Sequence, residues 1–302
     1  MQNHSCFSAI STVKILDNNI QTGILYLDFA KAFDYVDHTI LLEKLKRYGA
    51  VRHLHDWFNN YLQDRQQWVV VDGFTSSWTP VTSGVPQGSL LGPLLFILFI
   101  NDLPSALPDG SLTALYADDT KLYGSILSYL DAVKLQQALT NLDSWGLDNN
   151  INFSASKWKV LRVTQKKNAV CYDYHLDHVH LQYVNEETDL GIMIKSKLTW
   201  ATQVLKVSAK ANKLLSFLCR TCPMLTDVKV KRSLYLALVK SQMSYATEVL
   251  SPSHSTLKQK AERVQRRDTR WILQIKQGEL SHKERLIHLD LWLRDQGFSI
   301  SL

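Results

Sequence analysis

The sequence predicts an α+β region over roughly the first 200 residues and an all-helical region after it. Three observations predict this. Short apolar runs bounded by turn residues alternate with amphipathic stretches up to about residue 200, whereas from Ala201 onward only helical periodicity remains. Residues 201–302 carry 18 Lys and Arg against 8 Asp and Glu, a net charge of +10, while residues 1–200 come to −4. Finally, 45% hydrophobic and 21% charged residues over 302 positions fit a globular chain of one large or two ordinary domains and exclude disordered or collagen-like classes.

Taken in order, "TGILYLD" reads as a buried strand over Ile24–Leu27 that reaches Asp28. A helix follows, capped by Asp37, with Ile40, Leu41, Leu42 and Leu45 inward and Gly49 at its C-terminal end. Leu54, Trp57, Phe58, Tyr61 and Leu62 fall at i, i+3, i+4, i+7 and i+8 and predict an inward face on the next helix. "QQWVVVDGFTSSWTPV" reads as a hairpin. "SGVPQGSLLGPLLFILFINDLP" then reads as a glycine-rich loop entering a buried helix, with Gly84 and Gly88 allowing close backbone approach and Gln87 as a polar handle. No Lys-Ser follows those glycines, which excludes a Walker-type phosphate loop. "LYADDTKLY" reads as a second hairpin. Ser128 and Asp131 form a capping box ahead of a stripe of Leu135, Leu139, Leu142 and Trp145, and short strands near Val160 and Ile192 complete the region. Beyond it the helices are interrupted near Pro223 and Pro252, and Leu257, Ala261, Val264, Asp268, Trp271 and Ile275 form an inward stripe.

Several chemistries are disfavoured. The longest apolar run, from Leu90, is shorter than the roughly 20 residues of a membrane span and contains Gly92-Pro93, so no membrane partner is expected. No basic and apolar leader opens the sequence, and four cysteines are too few for a disulfide scaffold; an intracellular, reducing location is expected, nuclear or cytoplasmic not being distinguished. Cys219 and Cys222 lack a second half-site for zinc, and His175, His178 and His180 alternate as they would along a strand. The basic C-terminal third reads either as a polyanion-binding surface or as a solvated helical face.

Asp118 and Asp119 place two like charges side by side in an otherwise apolar hairpin. Asp suits a turn, so a solvated hairpin accounts for them; the other reading is that a hard divalent cation holds them together, which needs a third carboxylate. Asp28, at the end of its strand, is that candidate. If this strand pairs beside the hairpin, with strands about 4.8 Å apart, the three carboxylates can hold two metals about 4 Å apart, an arrangement that runs phosphoryl transfer.

"YLDFAKAFDYVDH", "SGVPQGSLLGPLLFILFINDL", "LYADDTKLY", "SASKWKVLRVT" and "ETDLGIMI" stand in the order of the palm motifs of reverse transcriptases, and the whole resembles the enzymes of non-LTR (LINE-type, Jockey-like) retrotransposons. "LVKSQMSYATEVLSP" and "ERVQRRDTRWILQ" resemble the region after the palm. The resemblance implies a polymerase palm, an antiparallel sheet with helices on one face, over residues 23–200, preceded by a remnant of fingers over 1–22 and followed by a helical, basic thumb and C-terminal region over 201–302. It implies RNA-directed DNA polymerase activity on an RNA template and DNA primer with deoxynucleoside triphosphates. Two Mg²⁺ ions, or Mn²⁺, would be held by Asp28, Asp118 and Asp119. Phe33 would be the aromatic gate against a 2′-OH, Gln87, Gly88 and Tyr116 would line the nucleotide, and Lys157 would stand near the leaving pyrophosphate. Asp189–Ile194 would form the primer grip.

Against the family pattern, 27 residues precede Asp28 where a basic fingers segment is usual, an endonuclease domain is not in the sequence, Ser154 replaces a usual Asn and Asp268 a usual Ala. A buried unpaired carboxylate at Asp268 would cost several kcal/mol. These departures read as an N-terminally truncated element copy, and keep open the alternative of an inactive nucleic-acid-binding remnant.

Overall fold

The computed structural model describes residues 20–108, 111–154, 157–176, 178–245 and 255–291. Expectations for residues 1–19, most of the segment assigned to fingers, and for Pro252 lie outside the described residues. The chain divides into two compact units between Asn185 and Glu186.

In the first unit, β1 (Gln21–Asp28) is followed by helices His38–Arg47 and His53–Leu62. A small hairpin comes next, with β2 (Gln66–Gln67) paired to β5 (Thr79–Pro80) and, nested inside, β3 (Val70–Val71) to β4 (Phe74–Thr75). The helix Leu91–Ile100 leads to β6 (Leu112–Tyr116) and β7 (Asp119–Ile126), then helix Tyr129–Asp148, β8 (Lys159–Val163), β9 (His175–Leu176), β10 (Val179–His180) and β11 (Gln182–Val184). The main sheet runs β11–β8–β1–β7–β6 and is antiparallel except where β11 meets β8. Leu25, Leu122 and Val160 are cross-strand partners on one face, and they join Phe96, Phe99, Leu135, Leu139 and Leu142 of the helices in one core. Opposed glycines admit the last helix. Gly23 and Gly124 are paired in register, and a Cβ on Gly23 would stand 3.0 Å from Leu135 Cδ2. Each fully buried Leu or Phe here contributes about 1.5–3 kcal/mol.

The caps form as the sequence predicts. The Asp37 carboxylate accepts from Thr39 N and Ile40 N, and Ser128 with Asp131 closes a capping box. Partial burial pushes the Asp37 carboxyl up, but bonds from Asn150 and those two amides outweigh it and hold it below its usual value. Two expectations are corrected. On helix His53–Leu62 only Leu62 is fully buried, whereas Leu54 and Trp57 are half exposed, and Trp57 instead stacks on Tyr61 at 5.5 Å. A ten-residue helix packed along one edge has room to bury one end of its apolar face, not its whole length. The three histidines do not share one strand: His175 and His180 face each other across the β9–β10 hairpin, and His180 Nδ1 lies 3.0 Å from an Asp173 oxygen.

The second unit opens with a hairpin, β12 (Glu186–Asp189) and β13 (Ile192–Lys195), and continues in helices Ala201–Thr221, Val228–Leu234, Ser255–Leu273 and His282–His288, with a π-helical stretch Tyr235–Lys240 running into Ser241–Ser244. The composition shift near residue 200 comes after the division because Gln203 binds the hairpin to the helices: its Oε1 accepts from Met193 N and its Nε2 donates to Gly191 O. Ala211, Leu218, Tyr235, Val239, Val264 and Ile272 form the centre of a separate core.

Candidate active site

β1 delivers Asp28 to the end of the sheet, and the register of β1 with β7 places Asp119 directly opposite it. Asp118 occupies the two-residue turn between β6 and β7, where Ala117 holds φ 52, a left-handed conformation unusual outside Gly, Asn and Asp. Tyr116, half exposed, is the β6 partner of Asp119. The backbone around Asp28 is held by the segment before β8. The Asp28 carbonyl accepts from Ser154 N at 3.0 Å and Trp158 Nε1 at 3.2 Å, Ala30 N donates to Asn152 O, and Phe29 stacks on Phe153 at 4.8 Å. That segment also carries Lys157, whose Nζ donates to Asp28 Oδ2 at 2.8 Å.

A second constellation is built from the glycine-rich loop. Gly84, at φ +89, lies so close to the turn after β1 that a Cβ would meet Asp34 O at 2.8 Å and Phe33 O at 2.9 Å. The Gly84 amide donates to Val36 O, Val85 N donates to Phe33 O, Ser83 Oγ donates to Asp34 O, and the Gly84 carbonyl lies 2.7 Å from His38 Nε2. Gln87 Nε2 donates to Asp34 Oδ1 at 2.8 Å, so the residue after Phe33 fixes the amide. Gly88 also has positive φ, but a Cβ there would meet nothing within 4 Å; its requirement is conformational rather than steric. Phe96 joins the two constellations: its ring packs on Phe33 at 4.6 Å and edge-on to Phe29 at 6.3 Å.

The structure thus brings Asp28, Asp119 and Lys157 together with Asp118 and Tyr116 adjoining, and sets Phe33, Gln87 and Gly88 on one clamped loop pair. Among the described residues, no three His, Cys, Asp or Glu side chains are gathered closely enough to hold a metal ion. The donor chemistry nonetheless suits a hard divalent cation, because the opposed residues carry only carboxylate oxygens. Asp118 and Asp119 are exposed and the Asp28 side chain is 41% exposed, so rotation about side-chain bonds is unobstructed by a core.

The family profile of the reverse transcriptases (RNA-dependent DNA polymerases) matches residues 2–204. The chain belongs to that family. Curated relatives include the RNA-directed DNA polymerases from mobile element jockey of Drosophila melanogaster, 32% identical over 60% of this chain and 20% of that protein, and of Drosophila funebris, 28% identical over 78% and 27%. The probable RNA-directed DNA polymerase from transposon BS of Drosophila melanogaster is 28% identical over 78% and 27%. The chain therefore spans about a quarter of the length of the curated relatives it matches. Among solved structures, the telomerase of Candida Tropicalis with a TWJ fragment of telomeric RNA is matched at TM-score 0.48 and 11% identity, over 97% of this chain and 45% of that one.

Sequence reasoning missed Asp34, His38, Phe96 and Trp158. Spacing gives no sign of them, since each acts on a partner far away in sequence. For Asp34 there was one usable signal, a polar residue directly after an aromatic one in the turn leaving β1.

Among the described residues no helix is long and apolar enough to cross a membrane.

Proposed function

We propose that this chain is the polymerase portion of a non-LTR retrotransposon reverse transcriptase, transferring deoxynucleotides to a DNA primer 3′-OH on an RNA template. The observation that carries the reading is the register pairing of Asp28 with Asp119, with Asp118 in the adjoining turn. Residues 23–200 would be the palm, and the basic residues 201–302 a thumb that meets the nucleic-acid backbone. Asp189–Ile194, which form the tip of the β12–β13 hairpin, would be the primer grip.

Asp28, Asp118 and Asp119 would hold two Mg²⁺ or Mn²⁺ ions, which when bound lower the pKa of the attacking hydroxyl and offset the charge of the triphosphate and leaving pyrophosphate. The remaining work falls to side chains of this chain. Lys157 neutralises Asp28 and so competes for the same carboxylate oxygen that an ion would use. The Phe33 ring, backed by Phe96, would occupy the place of a ribose 2′-OH. Asp34 takes up a Gln87 N–H and leaves the Gln87 carbonyl oxygen for the nucleotide side. Tyr116 and Gly88 would line that side.

Primer extension by this chain on poly(rA)/oligo(dT) with Mg²⁺ or Mn²⁺ tests the reading. Asp118→Asn removes a ligand charge at constant shape and is expected to lower extension by a factor of about 10³ or more while duplex binding stays nearly intact. Undiminished extension by this variant removes the three carboxylates from the chemistry.

A further inference from the structure

The second unit contains a cleft of about 520 Å³ that the proposed polymerase site does not use. It is formed where helix Ala201–Thr221 ends, where helix Val228–Leu234 passes, and along the last turns of helix Ser255–Leu273. Three cations line it, Lys231, Arg267 and Arg270, together with Gln274 and Gln277, and no carboxylate is part of the lining.

The state of those cations is informative. Lys231 is only 4% exposed, yet its ammonium makes one long hydrogen bond, to Trp271 O at 3.3 Å, and sits 5.1 Å from the Trp271 ring centroid. Arg267 donates to Asn212 Oδ1 at 3.4 Å and Ser216 Oγ at 3.3 Å; Arg270 donates to Arg266 O at 3.1 Å and Gln277 Oε1 at 3.4 Å. Every acceptor is neutral, and most of these bonds are longer than a charge-assisted one. Three cations around one cleft repel one another, and the Asp268 carboxyl that Arg267 attracts does not line the cleft. A structure that keeps this arrangement is compensated most directly by an anion with several acceptor oxygens. A phosphoryl group fits that description, since guanidinium forks match its geometry and the lysine supplies a point charge.

We propose that this cleft is a phosphoryl-anion site, seating either a backbone phosphate of a bound nucleic acid or a free phosphate-bearing molecule. The first source rests on the reading of the second unit as a backbone-binding region; the second does not.

The cleft supplies its own reporter, because Cys219 and Cys222 are also in its lining, whereas Cys171 is exposed in the first unit. Alkylation of each thiol in the full chain is followed by peptide mass spectrometry, with inorganic phosphate or a labelled RNA/DNA duplex against chloride at equal ionic strength. Phosphate, duplex or both are expected to slow modification of Cys222 at least threefold and leave Cys171 unchanged. Arg270→Gln, at the cleft rim, is expected to abolish that protection with an unchanged circular-dichroism melt. It also lowers the log–log salt slope of duplex affinity by about 0.9 for each phosphate that the variant no longer neutralises. Lys231→Met gives a second, stronger test if it folds. Protection by phosphate alone assigns the site to a small phosphate ligand, and protection by duplex, with the reduced slope, to a bound backbone phosphate. No protection by either probe, or equal protection in Arg270→Gln, overturns the proposal. Primer extension is read separately: loss of extension with Cys222 protected sinks only the polymerase reading, and the converse sinks only the cleft.

Discussion

Lys44 in the first unit and Asp268 in the second are both ionisable side chains sunk in an apolar core, and their surroundings treat them in opposite ways. Lys44 is 5% exposed, but its ammonium donates to Phe99 O and Asp102 Oδ1, both at 2.7 Å, and lies over the rings of Phe99 and Trp145. Burial holds its pKa below the usual lysine value, with the Asp102 carboxylate offsetting only part of that. Asp268 is fully buried with neither oxygen hydrogen-bonded, and burial raises its pKa to about 7, with Arg267 opposing. A charge is tolerated in a core when acceptors, a counter-ion and π-faces are placed with it. The socket around Asp268 provides no hydrogen-bond donor to either oxygen.

The largest effect is expected at Asp268. Its native carboxyl keeps a proton up to about pH 7, whereas an unfolded Asp loses it near pH 4, so the unfolded state binds fewer protons in between and stability falls as pH rises. Asp268→Ala is therefore expected to raise the unfolding free energy at pH 8 by about 3–4 kcal/mol, and by much less at pH 4, in urea titrations at the two values. The same midpoint shift at both would mean that charge is not the source of the cost. Lys44→Met goes the other way: it takes the ammonium from the Phe99 carbonyl and from Asp102, which keeps only the Trp145 Nε1 bond at 3.2 Å, and a loss of about 2–3 kcal/mol is expected at neutral pH. A neutral result would show that the socket of Lys44 is no better than that of Asp268.

Smaller effects sharpen the contrast at the candidate site. Phe33→Val shrinks the ring packed on Phe96, and in an extending version of the chain it should improve ribonucleotide use about tenfold relative to deoxynucleotides. An unchanged ratio takes Phe33 out of the sugar pocket. Lys157→Ala breaks an ion pair that is exposed on both sides, so stability should change by less than about 1 kcal/mol, unlike either buried charge. A larger loss would mean that Lys157 anchors the segment ahead of β8.

What was legible in the sequence depended on distance along the chain. β1, the "ADD" hairpin, the capping box and the inward position of Asp268 were readable because each announces itself by local periodicity or by a cap three residues away. The outward turn of Leu54 and Trp57 was not, since periodicity tells which residues share a face and not how much of that face a neighbour covers. The clamp of Gly84 on Asp34 was half legible. A glycine announces close approach, but its partner lies about fifty residues earlier. The pairing of Lys157 with Asp28 joins residues still farther apart, and nothing local predicts it.

The two-residue turn at Ala117 and Asp118 also bears on which changes of length the hairpin absorbs. Along β7 the side chains alternate, so Asp119 is held opposite Asp28 by the same register that sends Leu122 and Ile126 into the core. Slipping β7 by one residue would turn Leu122 toward the other face, so an added residue is expected to be taken up by the turn, where three-residue hairpin loops are common, and not passed on to the strand. A removed residue would instead leave the turn too short and break the terminal pair of Tyr116 with Asp119. The place of Asp119 opposite Asp28 is thus set by the buried face of β7 more than by the turn beside it.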